Sequence, residues 1–299
     1  MRARAAPLAA LAAVSLVWGF NWVVMKVAVR DAGPFEFLAW RFALAAATLF
    51  AAAAALGRPM RLAQAPQVLL VGFLQTTATF ALATWALKLG AVGKTAVLNF
   101  TMPFWASVFA WPLLGERPSR AQGLALSVAL LGLLLLLQPT GAPGLPELLA
   151  LASGVTWGLG VVATKRLQDR GGMDALALVA WQVLLGGLLL VPLALAFPGP
   201  PARWSADLVF AIVYNGVLVN AAGWYVWFWA IARVGAGPGS FGVLAVPVLG
   251  AIFSAILLGE RPDPLDWAGM AAIALALVLS GRAAMRARPQ AGQPGGPRP

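Results

Sequence analysis

The tetrapeptide Gly115-Glu116-Arg117-Pro118 recurs 144 residues later as Gly259-Glu260-Arg261-Pro262. The same offset pairs residues that precede it, namely Gly72 with Gly216, Trp85-Ala86 with Trp229-Ala230, Gly93 with Gly237, and Pro103 with Pro247. Near the start of each half the offset is 139, which pairs Trp18-Gly19 with Trp157-Gly158 and Lys26 with Lys165. The difference of five residues fits an insertion in the second half, most simply in the Pro-rich segment 197–204. The chain therefore consists of two internal repeats of one unit.

The composition is typical of a membrane protein. Of the 299 residues, 61% are hydrophobic and only 10% are charged, and the mean hydropathy is +0.84. A soluble domain carries about 25% charged residues, so most of this surface is expected to face lipid. Cysteine and histidine are both absent, which excludes disulfides, thiolate and imidazole metal sites, and catalysis by Cys or His. No cofactor is expected.

The net charge of +11 raises the question of a nucleic-acid partner. However, no basic run is interleaved with aromatic residues on which bases would stack. In a membrane protein, Lys and Arg concentrate in the cytoplasmic loops, and this explains the charge without a further partner. The expected partners are the lipid bilayer and a small-molecule substrate, and no nucleic acid.

Ten stretches of the sequence approach the roughly 20 apolar residues that a membrane-spanning helix needs. Short turns rich in Gly, Pro or charge separate most of them. The predicted helices are residues 8–28, 35–56, 66–87, 93–114, 120–138, 146–164, 174–196, 206–231, 238–258 and 264–283. They predict a first five-helix repeat over residues 8–138 and a second over 146–283. The Gly- and Pro-rich segment 284–299 is predicted to be a disordered cytoplasmic tail.

The first stretch begins like a secretory signal peptide, because Arg2 and Arg4 precede an apolar run. That run continues to Val29, however, and its Trp18-Gly19 pair has a counterpart in the second half. We therefore expect a retained first membrane helix.

The basic residues predict the orientation in the membrane. If the N-terminus is cytoplasmic, 14 Lys and Arg residues lie on that side and 7 on the other, with Arg41 counted at the outer end of a helix. Both termini are therefore expected in the cytoplasm. Because five is odd, the second repeat enters the bilayer from the opposite side to the first. Inverted repeats of this kind are typical of alternating-access transporters, whose substrate site lies at the repeat interface.

The predicted fold is thus an all-α integral membrane protein, with ten transmembrane helices arranged as two inverted five-helix repeats around a central cavity. Its motifs resemble those of the drug/metabolite transporter superfamily, in the EamA group with two EamA repeats. The residues that carry the resemblance are Trp18-Gly19-Phe20-Asn21-Trp22, Pro103 with Gly115-Glu116-Arg117-Pro118, and their counterparts in the second half. Asn21 departs from the twofold pattern, because its counterpart is Gly160.

The resemblance covers about residues 8–283 and implies a function. Members of the group export small metabolites from the cytoplasm across the bacterial inner membrane. The resemblance also implies a cavity lined largely by the third, fourth, eighth and ninth helices. The content of 13 tryptophans is similar to that of the YddG-type exporters of aromatic and other amino acids.

Polar and aromatic side chains inside the predicted spans are the candidate substrate-binding residues, because an unpaired polar group in hydrocarbon is costly. Amides and hydroxyls can hold the ammonium and carboxylate of an amino acid, and indole rings accept apolar or cationic groups. Gln75 and Thr79 lie four residues apart on one helix face. The full candidate set is Asn21, Gln75, Thr76, Thr79, Trp85, Asn99, Thr101, Trp157, Asn220, Trp224 and Trp227. The alternatives are hydrogen bonds between packed helices for the polar residues and interfacial belts for the tryptophans.

Pro103 and Pro247 fall inside predicted helices, where a proline removes a backbone hydrogen bond and bends the chain. Their equivalent positions predict matched hinges, with packing kinks as the alternative. Glu116 and Arg117 are interpreted as helix-end anchors that pair with each other or with nearby charges, with a gating salt bridge as the alternative. Lys26 and Lys165 occupy equivalent helix ends, where they either extend to the membrane interface or attract an anionic group of the substrate.

The predicted spans carry no Asp or Glu well inside them, and an intramembrane carboxylate is the usual proton or sodium carrier of a coupled transporter. This favours facilitated export of amino acids, aromatic and other neutral ones, by alternating access. The alternatives are an ion- or proton-coupled exporter of another metabolite or drug, and a channel-like permease. No catalytic constellation is visible, so an enzyme is not expected. A monomer is expected.

Overall fold

The computed structural model describes residues 2–137, 144–223, 226, 229–230 and 236–287, with the backbone alone for 2–5, 236–244 and 283–287. Ten helical segments occupy these residues, and each coincides with one of the ten predicted helices. They are α1 (Arg2–Asp31), α2 (Pro34–Ala55), α3 (Ala65–Leu89), α4 (Val92–Leu114), α5 (Arg120–Leu136), α6 (Leu145–Asp169), α7 (Ala175–Ala196), α8 (Ala206–Ala222), α9 (Ala236–Leu257) and α10 (Pro264–Ala287). No β-strand occurs in this part of the chain, and the all-α prediction is confirmed.

Seven of the described helices are long and apolar enough to cross a bilayer. α1 ends at Asp31, beyond its predicted end, and the helices that extend furthest beyond their predicted C-terminal ends are α6, to Asp169, and α10, to Ala287. Hydropathy registers only the apolar part of a helix, whereas the last turns of these two carry charged residues such as Arg166 and Arg282. Residues 284–287 of the predicted tail are therefore helical, and the rest of that tail lies outside the described residues.

The helices alternate in direction between two faces of the bundle. We call the face where α1 begins the first face and the face where α1 ends the second face. At the second face Arg203, before α8, is bonded to Asp31 at the end of α1 at 2.8 Å. At the first face the Gln64 side chain, before α3, donates to the carbonyl of Gly171, after α6, at 3.0 Å. Each repeat contributes five helices, so the second repeat is inverted relative to the first, as predicted.

The two repeats pack around a pseudo-twofold axis. A Cβ atom at Gly158 of α6 would lie 2.7 Å from the Cβ of Trp105 on α4. A Cβ atom at Gly19 of α1 would lie 2.6 Å from the Cβ of Leu249 on α9. Trp105 and Leu249 are 144 residues apart, so each half seats the glycine of its first helix on the same site of the other half. The Trp-Gly motif is therefore a contact between repeats, made close by the missing side chain.

Other interfaces between helices also occur in symmetry-related pairs. α3 packs on α7 as α8 packs on α2, and α3 packs on α6 as α8 packs on α1. α5 and α10 pack on each other. Each repeat thus packs its third helix on the first and second helices of the other repeat, so motion of one repeat against the other has to change these contacts.

α3 and α8 each contain a stretch of π-helix, at Phe73–Ala78 and Tyr214–Ala222. The two stretches end at equivalent positions under the 144-residue offset. In each helix a polar side chain donates to the carbonyl five residues earlier, from Thr79 Oγ1 in α3 and from Asn220 Nδ2 in α8, both at 2.7 Å. Short π-helical stretches are frequent at functional sites, and both of these lie on helices that the family resemblance assigns to the cavity.

α4 is interrupted at residues 100–101, directly before Pro103. Its second segment starts at Met102, where the missing N–H of a proline near the start of a helix costs little. α9, by contrast, is continuous through Pro247. The two prolines therefore do not have matched backbone surroundings in this structure, because only the first half breaks its helix before the proline.

Candidate functional site

A polar network inside the bundle joins α3 to α6 and α7. Gln75 Nε2 donates to Thr164 Oγ1 at 2.8 Å, and Gln75 Oε1 accepts from Gln182 Nε2 at 3.2 Å. One turn further along α3, Thr79 Oγ1 lies 3.1 Å from Thr156 Oγ1. Gln75 and Thr79 thus share a face, and that face packs against the second repeat. The network lies near the middle of α3, where an unpaired polar group would be costly.

Two further predicted residues of the first repeat also contact helices of the second. Thr76 is buried and faces α7, where a Cβ at Gly186 would lie 2.6 Å from the Thr76 Cβ. Asn99 Nδ2 donates to Ser153 Oγ of α6 at 2.8 Å. These contacts place both side chains at the repeat interface, where they hold helices together in this conformation.

Thr101 lies beside Asn99 and against α6, where a Cβ at Gly154 would lie 2.8 Å from the Thr101 Oγ1. It lines a groove of about 240 Å³ between α4 and α5. Its hydroxyl donates to the Leu98 carbonyl at 2.6 Å and accepts from Trp105 Nε1 at 3.1 Å. The structure therefore does not bring Thr101 together with Gln75 and Thr79.

Trp157 belongs to an aromatic cluster between the repeats. Its ring centroid lies 5.6 Å from that of Phe100 on α4, which lies 6.4 Å from Trp22 on α1. These edge-to-face contacts join α1, α4 and α6. Trp85 lies elsewhere, toward the second face, with its ring centroid 5.0 Å from that of Phe35. Of these two predicted tryptophans, only Trp157 lies in this cluster.

The candidates on α8 are only partly described. Asn220 is buried and donates within its own helix, whereas Trp224 and Trp227 lie outside the described residues. Trp18 of α1 donates from Nε1 to the Val219 carbonyl at 3.1 Å. This bond places α1 directly against the π-helical stretch of α8.

Arg41 is a buried cation inside α2, and the expectation that it lies at the outer end of a helix is wrong. It is the eighth residue of the helix, about 10 Å from its start at 1.5 Å per residue, and only 1% of it is exposed. The guanidinium carbon lies 4.6 Å from the ring centroids of Phe42 and Phe80, and Nη1 donates to Met25 Sδ at 3.2 Å. Nε has no hydrogen-bond partner in the described part of the chain.

Asn21 lies beside Arg41. Its Nδ2 donates at 3.4 Å to Met25 Sδ, the same sulfur that Arg41 Nη1 approaches. Its Oδ1 is buried, and no hydrogen-bond donor among the described residues reaches it. Thr84, one turn after Phe80 on α3, also has a buried Oγ1 without a described partner. Unpaired polar atoms therefore collect where α1, α2 and α3 meet.

Lys26 and Glu260 hold the turn between α3 and α4 at the second face. Lys26 Nζ donates to the Leu87 carbonyl and, at 2.8 Å, to the Gly90 carbonyl at the end of α3. The Glu260 carboxylate accepts from the first two N–H groups of α4, at 2.6 and 3.1 Å. Each charge thus meets the helix end of opposite polarity. We call Lys26 and Glu260 the second-face clamp.

The symmetry-related residues at the first face are Lys165 and Glu116, and they form an ion pair with each other. Both side chains are about half exposed, at 46% and 52%. At the same face Asp174 caps α7 and pairs with Arg58 at 2.5 Å. Burial alone would raise the pKa of the Asp174 carboxyl, but hydrogen bonds from the Leu176 N–H and from Arg58 outweigh it, so the pKa is lowered.

Two segments of the chain, residues 5–138 and 144–282, match the model of the EamA-like transporter family. The chain belongs to this family. The match includes both Trp-Gly motifs and both Gly-Glu-Arg-Pro motifs, so the interface contacts and the clamp lie within the matched segments. The protein is accordingly a multi-pass membrane transporter.

Three curated relatives each share 27% identity with this EamA-like transporter. An uncharacterised transporter of Bacillus subtilis covers 83% of this chain and 87% of its own length. A probable terminal-alkyne amino-acid exporter of Streptantibioticus cattleyicolor covers 96% and 97%, and a probable amino-acid metabolite efflux pump of Salmonella typhimurium covers 89% and 92%. A crystal structure at 22% identity has the same fold, with a TM-score of 0.65 over 93% of this chain and 98% of its own.

Three grooves open on the described helices of this EamA-like transporter. One of about 500 Å³ lies between α2 and the turn after α7, and one of about 460 Å³ lies between α3 and α6 near the first face. The third is the groove beside Thr101. None of the three is lined by Gln75, Thr79 or Asn99. The side chains of residues 236–244, on a helix assigned to the cavity wall, lie outside the description, so the central cavity stays a prediction.

Sequence reasoning missed Arg41 and Gln182, although one signal connects them. Ala39-Trp40-Arg41 on α2 matches Ala180-Trp181-Gln182 on α7 at an offset of 141, and Arg41 and Gln182 are each the eighth residue of their helix. Each repeat therefore carries a polar side chain at the same place in its second helix. Gln182 joins the α3 network, whereas Arg41 lies beside Asn21 and Met25. The offset of 141 also places part of the length difference between the repeats before α7, and not all of it in segment 197–204.

Proposed function

We propose that this EamA-like transporter exports amino acids, aromatic and other neutral ones, by alternating access of its two inverted repeats. The observation that carries the proposal is the second-face clamp. Lys26 and Glu260 hold the turn between α3 and α4, while their equivalents Lys165 and Glu116 pair with each other at the opposite face. A carrier needs one closed face at a time, and the inverted repeat supplies the same closing residues at both.

In the opposite conformation the roles of the two faces exchange. Under the 144-residue offset, Ala236 and Gly237 at the start of α9 are the counterparts of the first two residues of α4. Glu116 then accepts from these two N–H groups, and Lys165 turns to the end of α8. At the second face Lys26 and Glu260 release α3 and α4. The Glu116–Lys165 ion pair is thus the resting arrangement of a closing device.

The substrate class is supported by the relatives and by the residues between the repeats. Two relatives are named as an amino-acid exporter and an amino-acid metabolite efflux pump. The repeat interface contains amide and hydroxyl groups at Gln75 and Thr79 and an indole at Trp157. Such groups suit a zwitterion with an apolar or aromatic side chain.

Facilitated export is supported by the location of the carboxylates. All ten Asp and Glu residues are described, and each lies in a turn or in the first or last turn of a helix. No carboxylate is therefore available midway through a span to carry a proton or sodium ion. The amino-acid gradient itself then drives export.

We further propose that the protein acts as a monomer in the bacterial inner membrane with both termini in the cytoplasm. Arg41 no longer counts as a loop residue, so the basic residues divide 14 against 6 instead of 14 against 7. The bias toward a cytoplasmic first face becomes stronger. The second-face clamp then closes the external side.

Transport in proteoliposomes tests this function. Purified protein is reconstituted with labelled L-phenylalanine or L-threonine, with and without imposed pH, sodium and voltage gradients. We expect saturable flux that needs no ion gradient and is accelerated by unlabelled amino acid on the opposite side. Flux only with an ion gradient contradicts facilitation, and flux that never saturates indicates a channel. No flux of any amino acid contradicts the proposed substrate class.

A further inference from the structure

Arg41 is a cation inside the membrane-spanning part of the protein without an anion beside it. No Asp or Glu lies within 4.0 Å of its guanidinium among the described residues, which include all ten Asp and Glu side chains of the chain. The rings of Phe42 and Phe80 flank the charge and offset part of its desolvation. Charged groups in such positions are expensive, and they mark sites where a substrate or ion is handled.

An unpaired acceptor lies next to this unpaired donor. Arg41 Nε and Asn21 Oδ1 are both buried without a described partner, and both residues contact the sulfur of Met25. The two side chains are therefore at most two hydrogen-bond lengths apart through that sulfur. A guanidinium binds a carboxylate through two parallel N–H donors, and an amide oxygen accepts from an ammonium group. A zwitterion presents these two groups together.

We infer that Arg41 binds the carboxylate of a zwitterionic amino acid and that Asn21 Oδ1 accepts from its ammonium group. The inference rests on the proposed function and specifies how that function recognises its substrate. Phe42 and Phe80 supply apolar walls beside the charged pair, and Met25 is a flexible side chain that adapts to different substrates. Recognition through the shared zwitterion fits a carrier that accepts more than one neutral amino acid.

The second-face clamp covers this site. Lys26 directly follows Met25 on α1, and its partner Leu87 lies two turns beyond Phe80 on α3. While Lys26 holds the end of α3, α1 and α3 enclose the Arg41 side chain, and only 1% of it is exposed. A substrate carboxylate reaches Arg41 when α1 and α3 separate. Binding and the opening of the clamp are therefore coupled.

The second repeat does not duplicate this charge. The residue equivalent to Arg41 is Gln182, whose Nε2 donates to Gln75, and the residue equivalent to Asn21 is Gly160. Among the described residues, the bundle therefore has one such site and not two. This asymmetry predicts one substrate carboxylate bound per molecule, and it suggests Arg41→Gln as a test, because glutamine is what the twofold equivalent uses.

Ligand competition tests the inference. The purified wild-type protein in detergent is titrated with labelled L-phenylalanine, and L-phenylalaninamide and 3-phenylpropanoate compete for it. The amide lacks the carboxylate, and the acid lacks the ammonium group. We expect both analogues to bind at least about tenfold more weakly, since each loses a charge-assisted hydrogen bond. If the amide and the amino acid bind with equal affinity, Arg41 does not bind the substrate carboxylate and the inference is wrong.

Variants assign the loss to residues. Arg41→Gln and Arg41→Lys should each raise the apparent Kd for L-phenylalanine about tenfold or more. The affinity for L-phenylalaninamide, which lacks the carboxylate, should stay unchanged. Asn21→Ala should weaken the binding of L-phenylalanine but not the binding of 3-phenylpropanoate, which has no ammonium group. Lys88→Gln, the same charge change at an exposed helix end, should change neither. If Arg41→Gln does not fold, Arg41→Lys and the wild-type competition decide the question.

Failure of the proposed function and failure of the Arg41 inference give different results. If the wild type neither binds nor transports any amino acid, the proposed function and this inference both fall. If the wild type transports amino acids and Arg41→Gln or Arg41→Lys does so with an unchanged KM, the function stands and the inference is wrong.

Discussion

Gly158 lies at the repeat interface because it has no side chain. Its missing Cβ would lie 2.7 Å from Trp105 Cβ and 2.9 Å from the Met102 carbonyl oxygen. Gly158→Ala should therefore overpack the interface and lower stability by about 1–3 kcal/mol. Thermal unfolding in detergent measures the loss. Gly123→Ala is the matched control, because nothing lies within 4 Å of its Cβ position, and equal stability of the two variants would contradict the packing.

Asp174 provides a prediction about pH. Its folded-state pKa is lowered, so its charge stabilises the protein above the usual carboxyl pKa of about 3.9. That contribution is lost as the pH falls through the lowered value. Asp174→Asn should lower the Tm at pH 7, and the difference from the wild type should shrink by pH 3. A difference that is independent of pH over this range would show that the charge does not matter.

Arg41 shows the limit of prediction for single residues. Hydropathy averaged over the 22 residues of α2 is dominated by its Ala, Leu and Phe residues, so one Arg leaves the span recognisable but its place undefined. Its depth and its contact with Phe80 depend on how α1 and α3 pack around α2. Gln75 and Thr79 were predictable as a shared face, because helical spacing alone fixes that relation.

At the level of elements, the second-face clamp acts on two helix ends at once. Glu260→Gln keeps the shape of the side chain but loses the charge that caps α4, a change of about 1–2 kcal/mol in a capping interaction. This shifts the equilibrium between closed and open second faces roughly 5- to 30-fold. The chain has no cysteine, so Thr84→Cys, buried below the clamp at 0% exposure, is a clean reporter.

We expect Glu260→Gln to increase the labelling rate of this cysteine by a membrane-impermeant thiol reagent added at the second face. Glu116→Gln in the same background is the matched control, because it weakens the equivalent device at the other face and should slow labelling or leave it unchanged. If both variants accelerate labelling alike, the clamp is only a stabilising contact.

The helices themselves were predictable, but their irregularities were not. Apolar length and the turns between spans define all ten elements, because the bilayer permits few other structures. The π-helical stretches in α3 and α8 leave no mark on hydropathy, since an extra residue in a turn changes neither length nor composition noticeably. Two prolines at equivalent positions also predict equivalent backbones, so the sequence does not indicate that α4 is interrupted while α9 is continuous.

At the level of the whole molecule, the repeated Gly-Glu-Arg-Pro motif and the odd number of helices per repeat predicted the inverted architecture. The structure adds which contacts the symmetry shares and which it does not. Gly19 and Gly158 make equivalent contacts, whereas Lys26 and Lys165 have different partners at the two faces. The same sequence is compatible with both conformations of such a carrier and does not indicate which face is closed. The difference between the two faces is therefore visible only in a structure.

The measurement that tests alternating access most directly is a pair of spin-label distances, one across each face. One variant carries labels at Lys88→Cys and Arg261→Cys, both exposed at the second face, and the other at their 144-residue counterparts Ala232→Cys and Arg117→Cys. We predict that adding a transported amino acid changes the two distance distributions in opposite directions, so that one face opens as the other closes. Distances that change in the same direction at both faces, or at neither while transport proceeds, would contradict the account.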